Sequence, residues 1–447
     1  MKKVITYGTY DLLHFGHTRL LERAKELGDY LIVGVTADGF DQARGKINVQ
    51  QSLMERIEAV KATGLADEVI VEEYEGQKID DIIRYGVDIF AIGSDWEGKF
   101  DYLNEFCQVV YLSRTEGVSS SELRAKQREI NIGLIGETAV LNKYERESHY
   151  VNGVRVCGVC SKNDTFFSEE VKHLPIVTDK IEELVEHVDA IFSVSHPSEH
   201  YEQIKYALSK GKHVLCKSPI AMNVAQWKEL KDLAHQNNCI LMDSIKTGYS
   251  TAYHRLLLLV KSGVIGDVIS VDATCTSLFD LQRRADIDFS KVWNSITSWG
   301  PVAMLPVFQI LGTEYKQKTI TSHKVEGLKD FDLFTKIAYV FPKAVASIKV
   351  GKGVKSEGEL IISGTKGYFY VPAPWWKMDY FELRRENAEN NKRYFYQLDG
   401  EGIRYELVSF VKSIQQHKQS NYIDDKVSLA ITKEIEDFYL KKDFIEI

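Results

Sequence analysis

The sequence contains no hydrophobic stretch long enough to span a bilayer. Its longest aliphatic run, residues 256–260, falls far short of the roughly 20 residues that a transmembrane helix needs. Residues 1–3 imitate the basic start of a signal peptide, but Tyr7, Asp11 and His14 interrupt the apolar stretch that should follow. We therefore expect a soluble, cytoplasmic protein without membrane insertion.

Cysteine is also scarce, and its spacing argues against a metal site. Six cysteines are scattered along the chain, and residues 157–160 form its only CxxC pattern. That pattern lies in an apparent strand, where residues three apart point to opposite faces, and there is no second pair to complete a zinc site. Buried thiols are the favoured interpretation, and any metal-ligand set remains unknown.

Positive charge is not in excess, since the net charge is −8. This argues against general nucleic-acid binding, so Lys, Arg and His placed locally must hold any anionic substrate. Internal repeats and low-complexity segments are also lacking. For 447 residues, a length of roughly 150 residues per domain predicts two or three domains.

Residues 6–17 combine a strand end, a tight loop and a helix start. Gly8 permits a sharp turn, and the apolar residues that follow recur at helical spacing up to Gly28, a predicted helix C-cap. His14 and His17, three residues apart at the helix mouth, can both face an anion that the helix N-terminus attracts. This pattern favours a triphosphate site, although the histidines could also be ordinary polar cap residues.

The rest of the first 128 residues alternates apolar strands with helices, which predicts a doubly wound α/β unit. The predicted strands cover residues 30–36, 69–71, 88–93 and 109–112, and the predicted helices cover residues 52–63 and 78–85. Ligands of such sheets bind beyond the carboxyl ends of the strands. The candidates at that edge are His14, His17, Asp38, Asp95 and Arg114.

Residues 8–17, 93–101 and 114–120 together resemble the HxGH nucleotidyltransferases, and among them the glycerol-3-phosphate cytidylyltransferases. The resemblance implies transfer of CMP from CTP to a polyol phosphate with release of pyrophosphate, assisted by Mg²⁺. It implies a catalytic set consisting of His14, His17, Lys46 and Arg114. The implied nucleotide-binding residues are Thr9, Tyr10, Asp11, Asp38, Arg44, Arg56, Asp95, Trp96, Thr115, Ser119 and Ser120.

Plainer interpretations remain open for several of these residues. Arg44, Lys46 and Arg56 could be solvated surface charges. Asp95 and Trp96 could form a strand-end turn with a packed indole.

The acceptor is also open, because Gly64 stands where the family usually has a second arginine. Glycerol 3-phosphate is favoured, with ribitol 5-phosphate or another polyol phosphate behind it. The product would serve synthesis of a cell-surface polymer such as teichoic acid or capsule.

A second strand–helix alternation begins at residue 130 without a flexible spacer. Residues 196–200, 207–221, 261–266 and 359–368 resemble the glucose-fructose oxidoreductase and inositol dehydrogenase family. The resemblance implies three domains: a cytidylyltransferase domain over residues 1–128, a Rossmann domain over residues 129–250, and an α+β domain over residues 251–447 with an open, mostly antiparallel sheet.

The residues that should carry oxidoreductase activity are largely absent. Thr138 and Leu141 replace two glycines of the dinucleotide loop, and Glu137 adds a negative charge. The candidate cofactor contacts are Gly136, Ser161, Lys162 and Lys217, with NADP more plausible than NAD. Ser218 occupies the family's catalytic lysine position, and the family's Asp and His fall among Val302, Ala303 and Leu305. We therefore predict that the second half does not transfer hydride in the usual manner.

Two alternatives remain for the second half. It could be an NAD(P)-dependent reductase that makes the polyol phosphate, or a non-catalytic oligomerisation or partner-binding module. Residues 372–376, which include two tryptophans, and the nearby tyrosines could line a sugar pocket, lie in the core or form a subunit interface. The interface is favoured, in a homo-oligomer.

Overall fold

The computed structural model describes residues 1–37, 49, 51–74, 76–113, 129–151, 153–279, 289, 292–325, 327–328, 331–396, 398, 400–419 and 422–447. The chain divides into two compact units, residues 1–129 and 130–447.

The first unit is a parallel five-stranded sheet with the strand order β3-β2-β1-β4-β5. Its elements are β1 (Lys3–Gly8), α1 (Phe15–Glu26), β2 (Tyr30–Thr36), α2 (Leu53–Ala62), β3 (Glu68–Glu72), α3 (Gln77–Tyr85), β4 (Ile89–Gly93) and β5 (Gln108–Leu112). Short 3₁₀ turns, Ser94–Trp96 and Asp101–Glu105, lie between β4 and β5. This architecture confirms the predicted doubly wound α/β fold.

Two hydrophobic clusters cover the two faces of this sheet. Val4 packs with Leu21 and Val60 of the neighbouring helices. Ile5, the next residue of β1, packs with Ile82 and belongs to the other cluster. Successive strand residues point to opposite faces, so an uninterrupted apolar strand supplies both clusters.

Gly28 does not cap α1 as predicted. The C-cap is Leu27, which has ordinary right-handed helical angles. A Cβ at Gly28 would lie 2.6 Å from the Lys2 carbonyl oxygen and 2.7 Å from the Val4 side chain. Glycine is needed here because the chain returns close to the start of β1, not because the backbone turns left-handed.

The second unit begins with another parallel sheet, in the order β11-β10-β9-β6-β7-β8. Its elements are β6 (Ile130–Ile135), α4 (Val140–Ser148), β7 (Val154–Cys160), α5 (Glu169–Lys172), β8 (Ile176–Thr178), α6 (Ile181–Glu186), β9 (Ala190–Ser193), α7 (Pro197–Ser209), β10 (His213–Lys217), α8 (Val224–Gln236) and β11 (Leu241–Ser244). This is the predicted second Rossmann-type unit.

A mixed, mostly antiparallel sheet of nine strands follows, in the order β19-β18-β17-β16-β12-β15-β14-β13-β20. Its strands are β12 (Val268–Ser277), β13 (Gln317–Lys324), β14 (Asp332–Val340), β15 (Val345–Lys352), β16 (Leu360–Gly364), β17 (Gly367–Val371), β18 (Tyr380–Arg384), β19 (Lys392–Phe395) and β20 (Phe444–Glu446). The helices of this region are α9 (Thr251–Lys261), α10 (Ser295–Leu311), α11 (Ile403–Gln416) and α12 (Asp425–Tyr439). Short turns cover Lys246–Tyr249, Trp375–Lys377, Ala388–Asn390 and Gly400–Gly402.

The last two helices pack against the Rossmann part of the same unit. The Tyr144 hydroxyl on α4 donates to the Glu406 carboxylate on α11. The Trp227 indole on α8 donates to the Ser428 hydroxyl on α12 over 2.9 Å. The domain boundary predicted near residue 250 therefore divides two parts of the chain whose helices share buried contacts. This boundary stays a prediction.

Trp375 belongs to the core and not to the predicted subunit interface. Its side chain is 0% exposed, and its indole N–H donates to the Thr274 carbonyl oxygen over 3.1 Å. Cys157 and Cys160 are buried free thiols, as predicted. Among the helices of the described ranges, none is long and apolar enough to cross a membrane.

A buried ion cluster joins α12 to the nine-stranded sheet. The Lys318 ammonium on β13 lies 2.9 Å from a Glu434 carboxylate oxygen and also contacts Asp437, and none of the three side chains is more than 6% exposed. Removal of one partner from such a cluster leaves an uncompensated buried charge.

Lys318→Met is therefore expected to destabilise the protein by about 3–5 kcal/mol, because two buried carboxylates lose their shared counterion. Urea unfolding followed by circular dichroism measures this loss. Lys316→Met, which changes an exposed lysine two residues away, serves as the control. Equal unfolding midpoints for the two variants would contradict the prediction.

Candidate active site

The loop between β1 and α1 has a strained and closely packed backbone. Tyr10 and Leu12 have positive φ angles of 54° and 48°, a conformation that costs of order 1–3 kcal/mol for residues other than glycine. A Cβ at Gly8 would lie 2.9 Å from the Tyr10 ring. Glycine at this position therefore lets the Tyr10 ring, 2% exposed, fold beneath the loop.

Gln51 holds the same loop through both its backbone and its side chain. Its backbone N–H donates to the Asp11 carboxylate over 3.0 Å, and its side-chain oxygen accepts from the Leu12 N–H over 2.7 Å. Asp11 is almost completely buried. Sequence reasoning missed Gln51, because a polar residue before a helix N-cap carries no distinguishing pattern.

Arg56 is buried, so its interpretation as a surface charge is wrong. The side chain is 0% exposed, and one guanidinium nitrogen donates to the carbonyl oxygens of Thr9 and Thr36, each over 2.8 Å. Thr9 lies in the loop after β1, and Thr36 ends β2. The guanidinium therefore ties the loop to the neighbouring strand.

His14 is the N-cap of α1. Its Nδ1 accepts a hydrogen bond from the Gly16 N–H over 3.1 Å. A ring nitrogen that accepts a hydrogen bond carries no proton, so the neutral imidazole has its proton on Nε2. The cap thereby sets the tautomer and makes Nε2 a hydrogen-bond donor.

The structure brings His14 and His17 together at the start of α1. Their rings stack with centroids 4.0 Å apart and an interplanar angle of 19°. The Tyr10 ring meets His17 edge-on, with centroids 5.6 Å apart. Two imidazoles thus share the helix N-terminus, where backbone N–H groups favour an anion.

This pair lies at the point where the strand order of the sheet reverses. β1 pairs with β2 on one side and with β4 on the other. Asp95 and Trp96 lie in the turn directly after β4, Asp95 exposed and Trp96 partly buried against Phe100 with ring centroids 5.8 Å apart. Crevices at such reversal points are the usual ligand sites of open α/β sheets.

Several predicted site residues lie outside the described residues. These are Asp38, Arg44, Lys46, Arg114, Thr115, Ser119 and Ser120. Their roles stay predictions.

A buried polar network that the sequence analysis missed lies beside β1. The Tyr7 hydroxyl donates to Asp81 over 2.8 Å, and the Lys78 ammonium pairs with Glu72 and lies 4.7 Å from the centre of the Tyr7 ring. Burial and the Asp81 charge raise the pKa of Tyr7. Lys78 and Asp81 lie on α3, whose sequence is typical of a solvated helix, and Glu72 ends β3. The sequence therefore offered no signal for this network.

The described residues do not build a metal site by themselves. Among them, no three His, Cys, Asp or Glu side chains come together in a way that could hold a metal ion. Mg²⁺ usually needs only one or two carboxylates when substrate phosphates supply further ligands.

In the second unit, two amides at the start of the helix after β6 are already bonded to Thr138. Thr138 accepts hydrogen bonds from the Val140 N–H through its hydroxyl, over 3.3 Å, and from the Leu141 N–H through its carbonyl, over 3.1 Å. Glu137 is exposed beside them. The residues present do not fit the usual binding of a dinucleotide phosphate at a helix N-terminus.

The other predicted cofactor contacts lie at the carboxyl ends of their strands. Gly136 follows β6, where a Cβ would lie 3.0 Å from Val194. Ser161 follows β7 and donates its hydroxyl to the Asn163 carbonyl oxygen over 2.7 Å. Lys162 is exposed. Of these three residues, only Lys162 is charged.

Lys217, the last residue of β10, is a candidate proton donor. Its ammonium lies 4.3 Å from the centre of the Trp293 ring. Burial, together with the charges of Lys352 and Lys246, lowers the pKa of Lys217 to about 8. The neighbouring Ser218 is buried and hydrogen-bonds to the Asp243 carboxylate.

The remaining positions carry no acid or base chemistry. Val302, Ala303 and Leu305 lie in α10, and Ala303 and Leu305 are 0% exposed. These side chains are apolar, so none of them can donate a proton to a substrate.

Comparison with known proteins separates the same two parts of the chain. Residues 5–126 match the cytidylyltransferase-like family. Residues 130–244 match an oxidoreductase family with an NAD-binding Rossmann fold.

Two relatives at 48% and 51% identity match the first unit. A glycerol-3-phosphate cytidylyltransferase of Bacillus spizizenii is 51% identical over 124 residues, which are 28% of this chain and 95% of the relative. One from Staphylococcus aureus is 48% identical over 128 residues, covering 28% of this chain and 93% of the relative.

Solved structures are similar over the larger part of the chain. A 3-ketoreductase from Actinomadura kijaniata, in complex with NADP and TDP-benzene, has a TM-score of 0.63 at 15% identity, covering 72% of this chain and 100% of that one. A levoglucosan dehydrogenase in complex with NADH and levoglucosan has a TM-score of 0.60 at 15% identity, covering 71% of this chain and 97% of that one. At this identity the likeness shows the fold.

The chain therefore belongs to the cytidylyltransferase family through its first unit, and a domain of the glucose-fructose oxidoreductase and inositol dehydrogenase family follows in the same polypeptide.

Proposed function

We propose that residues 1–128 transfer CMP from CTP to a polyol phosphate and release pyrophosphate. The observation that carries this proposal is the stacked imidazole pair of His14 and His17 at the N-terminus of α1, beside the reversal point of the sheet. The relatives named as glycerol-3-phosphate cytidylyltransferases support glycerol 3-phosphate as the acceptor. Ribitol 5-phosphate is the second candidate.

The reaction needs alignment and charge neutralisation more than covalent chemistry. The acceptor phosphate oxygen attacks the α-phosphorus of CTP, a new P–O bond forms, and the bond to pyrophosphate breaks. The His14 Nε2 proton, the His17 ring and the α1 backbone N–H groups donate to phosphate oxygens as negative charge develops. A preorganised donor of this kind stabilises the transition state because it need not reorient.

The surrounding residues take two roles in this proposal. Thr9, Tyr10, Asp11 and Arg56 hold the loop that carries the histidines, by the buried contacts described above. By family resemblance, the remaining predicted residues complete the pocket: Asp38, Arg44, Lys46, Asp95, Trp96, Arg114, Thr115, Ser119 and Ser120. Mg²⁺ would accompany the triphosphate and neutralise part of its charge.

The product would be a CDP-activated polyol for a cell-surface polymer such as teichoic acid or capsule. CTP and polyol phosphates are soluble substrates, which favours a cytoplasmic location for the enzyme. A homo-oligomer remains part of the proposal, although Trp375 does not supply its interface.

For the second unit, we propose that hydride transfer in the usual manner of its family does not occur. Two observations support this: Thr138 bonds the amides of Val140 and Leu141, and Ser218 is engaged with Asp243. Lys217, whose pKa is lowered to about 8, favours the competing reductase function, because such a lysine can donate a proton near neutral pH.

His17→Ala is expected to lower kcat for pyrophosphate release from CTP and glycerol 3-phosphate by about 10²–10³-fold, as the loss of one preorganised donor does elsewhere. KM for CTP should change much less if His17 acts mainly in the transition state. His149→Ala, at an exposed histidine of the other unit, is the control. Equal turnover by wild type and His17→Ala would refute the proposal.

Fluorescence titration of the full chain is expected to show no saturable NADPH or NADH binding in the micromolar range. Dihydroxyacetone phosphate and ribulose 5-phosphate should cause no cofactor oxidation. Oxidation that Lys217→Ala abolishes, and that the exposed-site control Lys228→Ala retains, would establish the reductase instead.

A further inference from the structure

Three lysines of the second unit converge on one carboxylate. Lys143 lies 3.0 Å from Glu401, Lys377 lies 3.3 Å from it and Lys246 lies 3.4 Å from it. All four side chains are partly exposed, between 30% and 41%. We call these four residues the lysine pocket. Three positive charges here face one negative charge.

The Glu401 carboxylate lies on a turn with an unusual backbone conformation. Glu401 has a φ angle of 54°, and the glycines on either side, Gly400 and Gly402, have φ angles of 57° and 85°. Three consecutive left-handed residues are costly wherever one of them has a side chain. The attraction between the Glu401 carboxylate and the three ammonium groups therefore offsets the backbone strain at Glu401.

The lysines come from separate segments that the fold brings to one edge. Lys143 lies in the first turn of α4, which follows β6, and Lys246 follows β11. Lys377 ends the turn after β17. The carboxyl ends of parallel strands are where open α/β sheets bind ligands.

The positive charge continues beyond the pocket. The charges of Lys246 and Lys352 both act on Lys217, and the Lys352 ammonium donates to the Trp293 carbonyl oxygen over 2.7 Å. Two further carboxylates lie in this region: Glu147, beside Gly400, pairs with Arg404 over 2.7 Å, and Glu406, whose charge acts on Lys246, accepts from the Ser244 hydroxyl over 2.9 Å. Burial raises the pKa of Glu406 to about 7, so it is only partly ionised at neutral pH.

A purely structural role does not account for three lysines. Partly exposed ion pairs contribute little to stability, so a stabilising role alone gives no reason for three of them on one carboxylate. Burial alone would raise the pKa of Glu401, yet Lys143, Lys246 and Lys377 lower it to about 2. The pocket thus has capacity for more negative charge than one carboxylate provides.

We propose that the lysine pocket binds the phosphate group of a small phosphomonoester, and that Glu401 occupies the pocket until the phosphate displaces it. A phosphate dianion accepts hydrogen bonds from all three ammonium groups and balances one more charge than Glu401 does. A dinucleotide phosphate is disfavoured, because it would need the α4 amides that Thr138 already bonds. This proposal does not depend on the transferase activity of the first unit.

The test measures how fast acetic anhydride modifies each lysine of the full chain, read by mass spectrometry. Inorganic phosphate and dihydroxyacetone phosphate should protect Lys143, Lys246 and Lys377 in a saturable manner, while chloride at equal ionic strength should not. Lys228, exposed on α8, is the internal control. NADPH tests the other source of phosphate, and protection by NADPH alone would overturn the phosphomonoester proposal.

Glu401→Gln provides the sharper variant, because it removes the competing charge and keeps the shape. The phosphate concentration that half-protects Lys246 should fall about tenfold, the difference between displacing a charged and a neutral hydrogen-bond partner. Lys377→Ala should raise that concentration by at least about tenfold on the same reasoning. If the four residues had only a structural role, both variants would have lower thermal stability and the phosphate protection of Lys246 would not change. That result would overturn the proposal.

CMP transfer is measured on the same protein preparations before acetylation. The acetylation readout reports individual lysines of the second unit. If phosphate protects these lysines but CMP transfer is absent, only the function proposed for the first unit is refuted. If CMP transfer is normal but phosphate protects none of the three lysines, only the phosphate binding proposed for the lysine pocket is refuted.

Discussion

Parallel pairing of strands is the constraint on which both candidate sites depend. It sends the carboxyl end of every strand to one edge, so loops far apart in the sequence meet there. In the first unit this brings the loop after β1 next to the turn after β4. In the second it aligns the ends of β6, β9, β10 and β11, although their loops carry different chemistry. The fold thus fixes where a ligand binds, and the loop residues determine which ligand.

Much of the framework could be predicted because apolar runs of strand length alternate with helical spacing. The helix predicted over residues 52–63 is observed as Leu53–Ala62, within one residue at both ends. The joint position of His14 and His17 was also predictable, because residues three apart share a helix face. These features depend on local periodicity, which a single sequence displays directly.

The features that the sequence analysis missed depend on tertiary contacts. Arg56 reads as a surface charge until the carbonyls of Thr9 and Thr36 are seen to meet at its guanidinium. Gly28 looks like a helix cap, yet its role is set by the distant Lys2 carbonyl. Trp375 looks like an interface residue, yet β12 supplies its hydrogen-bond partner. In each case the partner lies at least 20 positions away in the chain, beyond the reach of local patterns.

His14 has two duties that cannot be changed separately. As the N-cap it satisfies a backbone N–H of α1, a contribution of typically about 1 kcal/mol to helix stability, and the same hydrogen bond selects which nitrogen carries the ring proton. Under the proposed mechanism, a substitution at this position alters helix stability and chemistry together, so turnover alone does not separate the two effects. The cap hydrogen bond comes from His14, so a substitution of His17 changes the proposed chemistry and leaves the N-cap in place.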